Sequence, residues 1–151
     1  MKVNDLAFDF TLVDQSGTSQ SLSSLLRDGI VVLFFYPAAM SPGCTKESCH
    51  FRNLTSEFTE LGALPVGISM DSYERQAQFA QKNGITYPLL ADEDGSVAQH
   101  YGVKRSLSFL KVKRATFVIG QDRRILEVIS SEVSMNAHAD RALATLRSIG
   151  T

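Results

Sequence analysis

The sequence predicts an α/β fold, with a central mixed β-sheet flanked by helices and a short hairpin ahead of it, as one domain over residues 1–151. Three observations carry this. Apolar runs of strand length alternate with segments of helical periodicity along the whole chain. The strongest run, IVVLFFY at residues 30–36, is apolar without alternation, as a strand covered on both faces requires. Near the C-terminus, ATFVIG and RILEVIS are joined by the polar turn Gln121 to Arg124, which adds an antiparallel pair to strands otherwise linked through helices.

Each element follows in order. DFTLVDQSGTSQSL, residues 9–22, reads as a hairpin turning at Ser16-Gly17. After the strand at 30–36, Pro37 stops the run and Pro42-Gly43 punctuates a loop. From Thr45 to about Leu61 the pattern is helical, with Phe51, Leu54, Phe58 and Leu61 at spacings of three and four, and Gly62 suits its end. LPVGISM, 64–70, is the next strand. Asp71-Ser72-Tyr73-Glu74 opens a helix with a capping box, and Asn83-Gly84 closes it. ITYPLLAD, 85–92, gives another strand, and a short helix from Ser96 to Tyr101 ends at Gly102. After the C-terminal strand pair, Asn136 is expected to cap a last helix lined on one side by Ala139, Leu143, Leu146 and Ile149.

Composition excludes several classes. With a net charge of −1 and 21% charged residues, the chain has no bulk attraction to nucleic acid or to an anionic membrane surface. No apolar run approaches membrane-spanning length, and Met1 to Asp14 carries no apolar core of signal-peptide length. A cytoplasmic location is therefore expected. There, a close pair of cysteines is catalytic or redox-active more often than a structural staple.

The only two cysteines, Cys44 and Cys49, lie together in PAAMSPGCTKESC. Cys44 sits where a central strand hands over to a helix, the place where open α/β sheets hold their ligands. Unpaired backbone N–H groups and the macrodipole in a first helical turn favour a thiolate over a thiol. Ser41 offers a hydroxyl three residues earlier, and Pro37 and Pro42 stiffen the loop. If residues 44 to 49 are all helical, the two Cα atoms stand roughly 8.7 Å apart. A disulfide needs about 4.4 to 6.8 Å. Either the helix never forms there, or it unwinds each time the thiols oxidise.

YPAAMSPGCTKESC resembles the active-site signature of peroxiredoxins, Pro-x-x-x-Thr/Ser-x-x-Cys, at Pro37, Ser41 and Cys44. The second cysteine five positions on is similar to the peroxiredoxin Q or bacterioferritin-comigratory-protein branch. The resemblance runs over nearly the whole chain, through NDLAFDFTLVDQSG, FFYP, YPLLADEDGSVAQHYGV and RATFVIG. It implies a thioredoxin-like fold with an N-terminal extension, and a thiol peroxidase without metal, haem, flavin or other cofactor. It implies that Cys44 is the peroxidatic nucleophile, Cys49 the resolving thiol, Ser41 a hydrogen-bond partner of the peroxide, and Pro37 a shield of the pocket. Arg114 matches the family's active-site arginine, and Glu47 a glutamate expected to orient it. The expected partners are a peroxide and a thioredoxin-, glutaredoxin- or mycoredoxin-like reductant. A monomer is the first expectation, and a weak homodimer the second.

The chain departs from the family where Ala38-Ala39-Met40-Ser41 stands in place of the common Lys-Asp-x-Thr. That makes the pocket mouth more apolar and points toward organic hydroperoxides. Other readings stay beside the leading one. A thioredoxin-like module that exchanges disulfides or senses oxidants is the alternative, against which the absence of Cys-x-x-Cys counts. Metal binding by Cys44, Cys49 and His50 lacks both the usual spacing and a fourth ligand. His50, His100 and His138 read as surface or packing residues. The segment SLSFLKVKR, 106–114, reads as a loop folded onto the core, with partner docking the lesser option.

Overall fold

The structure is a computed structural model describing residues 1–105 and 112–149. Among the described residues thirteen elements follow one another: β1 (Thr11–Val13), β2 (Ser19–Ser21), α1 (Leu22–Leu25), β3 (Ile30–Phe35), α2 (Pro42–Asn53), α3 (Thr55–Glu60), β4 (Ala63–Ser69), α4 (Tyr73–Asn83), β5 (Leu89–Ala91), α5 (Ser96–His100), β6 (Ala115–Ile119), β7 (Ile125–Ser130) and α6 (Met135–Ile149). The strands form a seven-stranded mixed sheet in the order β2-β1-β5-β4-β3-β6-β7. β3 runs parallel to β4, and β4 to β5, while β6 pairs antiparallel with β3 and β7. The N-terminal hairpin joins the other edge through Val13 opposite Ala91.

The unalternated run in β3 follows from two cores. Because side chains point to opposite faces in turn, Val31, Leu33 and Phe35 join one cluster, with Leu22 of α1 and Val97 and Ala98 of α5. Val32, Phe34 and Tyr36 join the other, with Phe51 of α2, Phe58 of α3, Phe79 of α4, and Ala139 and Leu143 of α6. Phe34 stacks on Phe51 with ring centroids 4.1 Å apart, and Phe51 stacks in turn on Phe58 at 5.7 Å. This aromatic column fixes the second half of α2 to the sheet. Within β4, Gly67 makes room for it: a Cβ there would lie 2.7 Å from Leu89, 3.0 Å from Phe34 and 3.1 Å from Tyr36.

Several expectations change. The helix that carries the cysteines starts at Pro42 rather than Thr45, because Ser41 caps it and proline is at home in a first turn. It does not run through to Leu61 but breaks at Leu54, so Phe51 and Phe58 belong to two helices. Ser72 caps α4 by accepting from the Arg75 amide, but the third helical position is Arg75, so the reciprocal half of a capping box is missing. β5 is confined to three residues, Asn136 lies inside α6 rather than capping it, and Ile149 is exposed. The short helix α1 went unpredicted; a reciprocal pair of Ser21 and Ser24 side-chain bonds closes its first turn. The expectation for the loop at 106–114 falls mostly on residues outside the described range.

Candidate active site

The site lies at the C-terminal end of β3, where the chain leaves the sheet, turns and enters α2. The turn is tied at both backbone groups of Ala39. Its amide donates to Asp71 Oδ2 at 2.7 Å, and its carbonyl accepts from Arg75 Nη2 at 3.5 Å. Asp71 is itself held by the Ser69 hydroxyl and by Arg75 Nε at 3.1 Å. Met40 adopts φ = 70°, a left-handed conformation that β-carbon contacts disfavour for a side chain of this size. It directs the chain into Ser41, whose hydroxyl donates to the Ala38 carbonyl at 2.9 Å and accepts the Cys44 amide at 3.4 Å. In this state the Ser41 proton is therefore committed to backbone, and presenting it to a substrate requires the hydroxyl to turn about its Cβ–Oγ bond.

Cys44 is fully buried at the third position of α2. Its sulfur meets Arg114 Nη2 at 3.3 Å. Arg114 arrives from the sheet, immediately before β6, and the register that sets Ala115 opposite Phe35 brings it to the end of β3. Its backbone amide donates to Glu132 Oε1 at 3.2 Å, and Glu132 also pairs with Arg105. Its other guanidinium nitrogen, Nη1, donates to Glu47 Oε1 at 2.7 Å. Burial works against the Arg114 charge, but Glu47 and Cys44 outweigh it and hold the guanidinium above its ordinary value. The approach is tight: a Cβ on Gly43 would lie 3.3 Å from Arg114 Nη2 and 3.3 Å from Met135 Sδ.

Glu47 is fully buried as well. Burial lifts its carboxyl to about 7, against the pull of Arg114. Its second oxygen, Oε2, has no hydrogen-bond partner among the described residues and faces His138 Nδ1 at 3.6 Å. His138, expected on a surface or in packing, is buried beside the site. Its Nε2 is 2.7 Å from the Ser131 carbonyl and its Nδ1 is 2.8 Å from the Thr116 hydroxyl. Nothing in its sequence neighbourhood signals this, because Glu47, Thr116 and His138 come from three separate elements.

A pocket of about 230 Å³ opens here, lined by Pro37, Ala38, Ser41, Gly43, Arg114 and Glu132. Cys44 lies behind Ser41, Gly43 and Arg114 rather than on its wall. The structure thus brings Pro37, Ser41, Cys44, Glu47 and Arg114 to one place. Cys49 stands apart, on the same helix but turned toward α4, where its thiol donates to Asn83 Oδ1 at 3.7 Å. Both thiols are free, and α2 is continuous between them. His50 pairs with Asp140 at 2.7 Å. Cys44, Cys49 and His50 therefore point to three different partners, and among the described residues no three acidic, His or Cys side chains converge as a metal site. Among the same residues no helix is long and apolar enough to cross a membrane.

Residues 3–128 match the AhpC/TSA family, to which the chain belongs, as a thiol-dependent peroxidase of the peroxiredoxin kind with a thioredoxin-like fold. Its similarity is high to a putative peroxiredoxin of Mycobacterium tuberculosis strain H37Rv, 60% identical over 151 residues, covering 99% of this chain and 98% of that protein. The crystal structure of peroxidoxin BcpB from Mycobacterium tuberculosis superposes with a TM-score of 0.95 at 60% identity, covering 99% and 98% of the two chains. The bacterioferritin comigratory protein of Xanthomonas campestris superposes at 0.88 with 28% identity and full coverage of both chains, in a structure concerned with its alkyl peroxide reduction.

Proposed function

We propose that Cys44 is the peroxidatic nucleophile of this peroxidase and Cys49 its resolving thiol. The observation that carries the reading is the 3.3 Å approach of Arg114 Nη2 to Cys44 Sγ in a buried site. A permanent cation at this distance faces the sulfur that, as thiolate, is the reactive form. The sulfur attacks the terminal peroxide oxygen. An S–O bond forms as the O–O bond breaks, and the leaving alkoxide takes up a proton to depart as alcohol or water. Arg114 faces the charge that moves from sulfur onto the leaving oxygen, and Ser41, once rotated, donates to the bound peroxide. Pro37 walls the pocket, and Glu47 fixes the guanidinium.

Cys49 then condenses with the Cys44 sulfenic acid, forming the S–S bond and releasing water. With α2 intact the two Cα atoms stand roughly 8.7 Å apart, beyond disulfide reach. The first turns of α2 therefore unwind at this step. An external dithiol, of the thioredoxin, glutaredoxin or mycoredoxin kind, reduces the disulfide. Both thiols belong to one chain, which supports a monomer as the working unit. The composition supports a cytoplasmic setting, and one sheet with both faces covered supports a single domain over residues 1–151. Pro37 and Ala38 at the mouth, with the alkyl peroxide reduction of the Xanthomonas relative, support organic hydroperoxides as substrates beside hydrogen peroxide.

The test is stopped-flow reaction of the reduced protein with limiting peroxide, followed by intact mass. The expected product has lost the two hydrogens of a disulfide. Cys44→Ser is expected to consume no peroxide, and Cys49→Ser to react once and stall as sulfenic acid. Peroxide consumption by Cys44→Ser would overturn the assignment. Equal kcat/KM for cumene hydroperoxide and hydrogen peroxide would overturn the substrate preference.

A further inference from the structure

We propose that His138 is a positioning residue of this site, standing 3.6 Å from Glu47 so that one extra proton, carried by one or other of the two, leaves the Arg114 charge to the Cys44 thiolate. This rests on Cys44 being the nucleophile.

Charge counting in the buried cluster leads there. Arg114 supplies one positive charge to Cys44, Glu47 and His138, all fully buried. If both Cys44 and Glu47 are ionised and His138 is neutral, the cluster carries a net negative charge away from water, which burial strongly disfavours. Ionised Cys44 is compatible with a neutral cluster only when one more proton is present, on Glu47 Oε2 or on His138 Nδ1. The hydrogen bonds leave room for it at that point and nowhere else in the pair. The Ser131 carbonyl can only accept, so His138 Nε2 carries a hydrogen and Nδ1 is the variable nitrogen. The hydroxyl beside Nδ1, on Thr116, can donate or accept, and so serves either protonation state. Glu47 Oε1 is taken by Arg114 Nη1, which leaves Oε2 as the variable oxygen.

The surroundings act in the same direction. The charged and titratable groups facing the pair are Arg114 before β6, Tyr87 before β5, and Arg141 on α6, and Cys44 on α2 bonds to the same Arg114. Burial lowers the affinity of His138 for a proton, the Ser131 carbonyl restores part of it, and Arg114 and Arg141 oppose it. Burial raises that of Glu47. The extra proton therefore rests mainly on Glu47, with His138 Nδ1 next to it.

The experiment is a pH titration of thiolate absorbance near 240 nm in a Cys49→Ser background, where Cys44 is the one thiol left. Four proteins are compared: the parent, His138→Gln, Glu47→Gln and the double variant. Glutamine at 138 keeps a donor for the Ser131 carbonyl but cannot take the extra proton. The pH at which half of Cys44 is thiolate is expected to rise by about one unit in His138→Gln, about tenfold less thiolate below that pH. Glu47→Gln needs no extra proton, so its midpoint falls, and adding His138→Gln to it has no further effect. An unmoved midpoint in a His138→Gln protein that melts normally would overturn the proposal, as would an undiminished effect in the double variant. Should His138→Gln fail to fold, the ring 15N shifts of His138 in the parent decide. They must change over the pH range in which the thiolate forms, and not in a Cys44→Ser protein; no change, or the same change in both, is the negative result. Peroxide consumption by Cys44→Ser judges the nucleophile separately.

Discussion

Replacing Glu47 by glutamine removes the ionisation of a carboxyl that burial has lifted to about 7 from an ordinary 4.5. The direction of its effect on stability is opposite to that of a salt-bridged surface carboxylate. Because the native state binds this proton more tightly than the unfolded chain, the stabilisation is complete below pH 4.5 and is lost as pH rises toward 7. Between these values the unfolded chain has released the proton and the native protein still keeps it. A difference of about 2.5 pH units corresponds to about 3 kcal/mol. The glutamine amide occupies the place of the protonated acid. Its oxygen accepts from Arg114 Nη1, and its nitrogen faces the acceptor lone pair of His138 Nδ1. The stability of Glu47→Gln relative to the parent is therefore expected to climb by up to about 3 kcal/mol between pH 4.5 and 7, then level off. Urea unfolding of the two reduced proteins across this range measures it, urea being uncharged and leaving screening constant. A difference that is flat with pH, or that falls as pH rises, would refute the reasoning. It would mean that the attraction of Arg114 outweighs the cost of burial.

Three other substitutions probe the same construction. Ser41→Ala removes both the cap of α2 and the hydroxyl beside Cys44; it should cost about 1 kcal/mol in denaturant unfolding and lower kcat/KM, whereas Ser41→Thr should keep both. Gly43→Ala places a methyl 3.3 Å from Arg114 Nη2, and a guanidinium pushed aside by a few tenths of an ångström should slow reaction with peroxide by roughly severalfold while the melting temperature holds. Gly67→Ala, far from the thiols, should destabilise the protein by about 1–3 kcal/mol, since its Cβ would overlap Leu89 and crowd Phe34 and Tyr36. In that variant, peroxide kinetics below the unfolding transition should be unchanged.

Much of the sheet was legible in the sequence because its strands are apolar on both faces, and a run such as IVVLFFY has few other homes. The helices were legible where they expose one side, as α4 and α6 do. What escaped was decided by contacts between distant elements or by single residues. The break at Leu54 leaves the spacing of Phe51 and Phe58 intact, so periodicity passes over it. The four residues of α1 are too few for any period, and only the two serines that bracket its first turn mark it. At the site, Cys44 and Ser41 stand out because their roles are local to one loop and helix start. Arg114 could not be told from the other basic residues without the family resemblance, since the pairing of β6 with β3 is what delivers it. His138 had no signal at all, for its partners Glu47 and Thr116 come from α2 and β6, and only the folded chain sets them side by side.

The two halves of α2 are held in different ways, and that difference fits the helix to be opened at one end. From Ser48 onward it is clamped. Tyr87 donates its hydroxyl to the Ser48 carbonyl at 2.8 Å, Arg52 reaches the Asn83 carbonyl at 2.5 Å, and Phe51 lies between Phe34 and Phe58. Burying an aromatic ring of this kind is worth about 3–5 kcal/mol against its removal. Before Ser48 the side-chain restraints are the long Ser41 cap, the contacts of Cys44 and Glu47 with Arg114, the approach of Glu47 to His138, and the small apolar contact of the buried Cys44 side chain. The contact through Cys44 depends on the charge of the sulfur, and oxidation to a sulfenic acid removes that charge. In the proposed cycle, the chemistry that calls for unwinding thus also weakens what opposes it, while Cys49 stays on the clamped half, one residue past the point where the clamp begins.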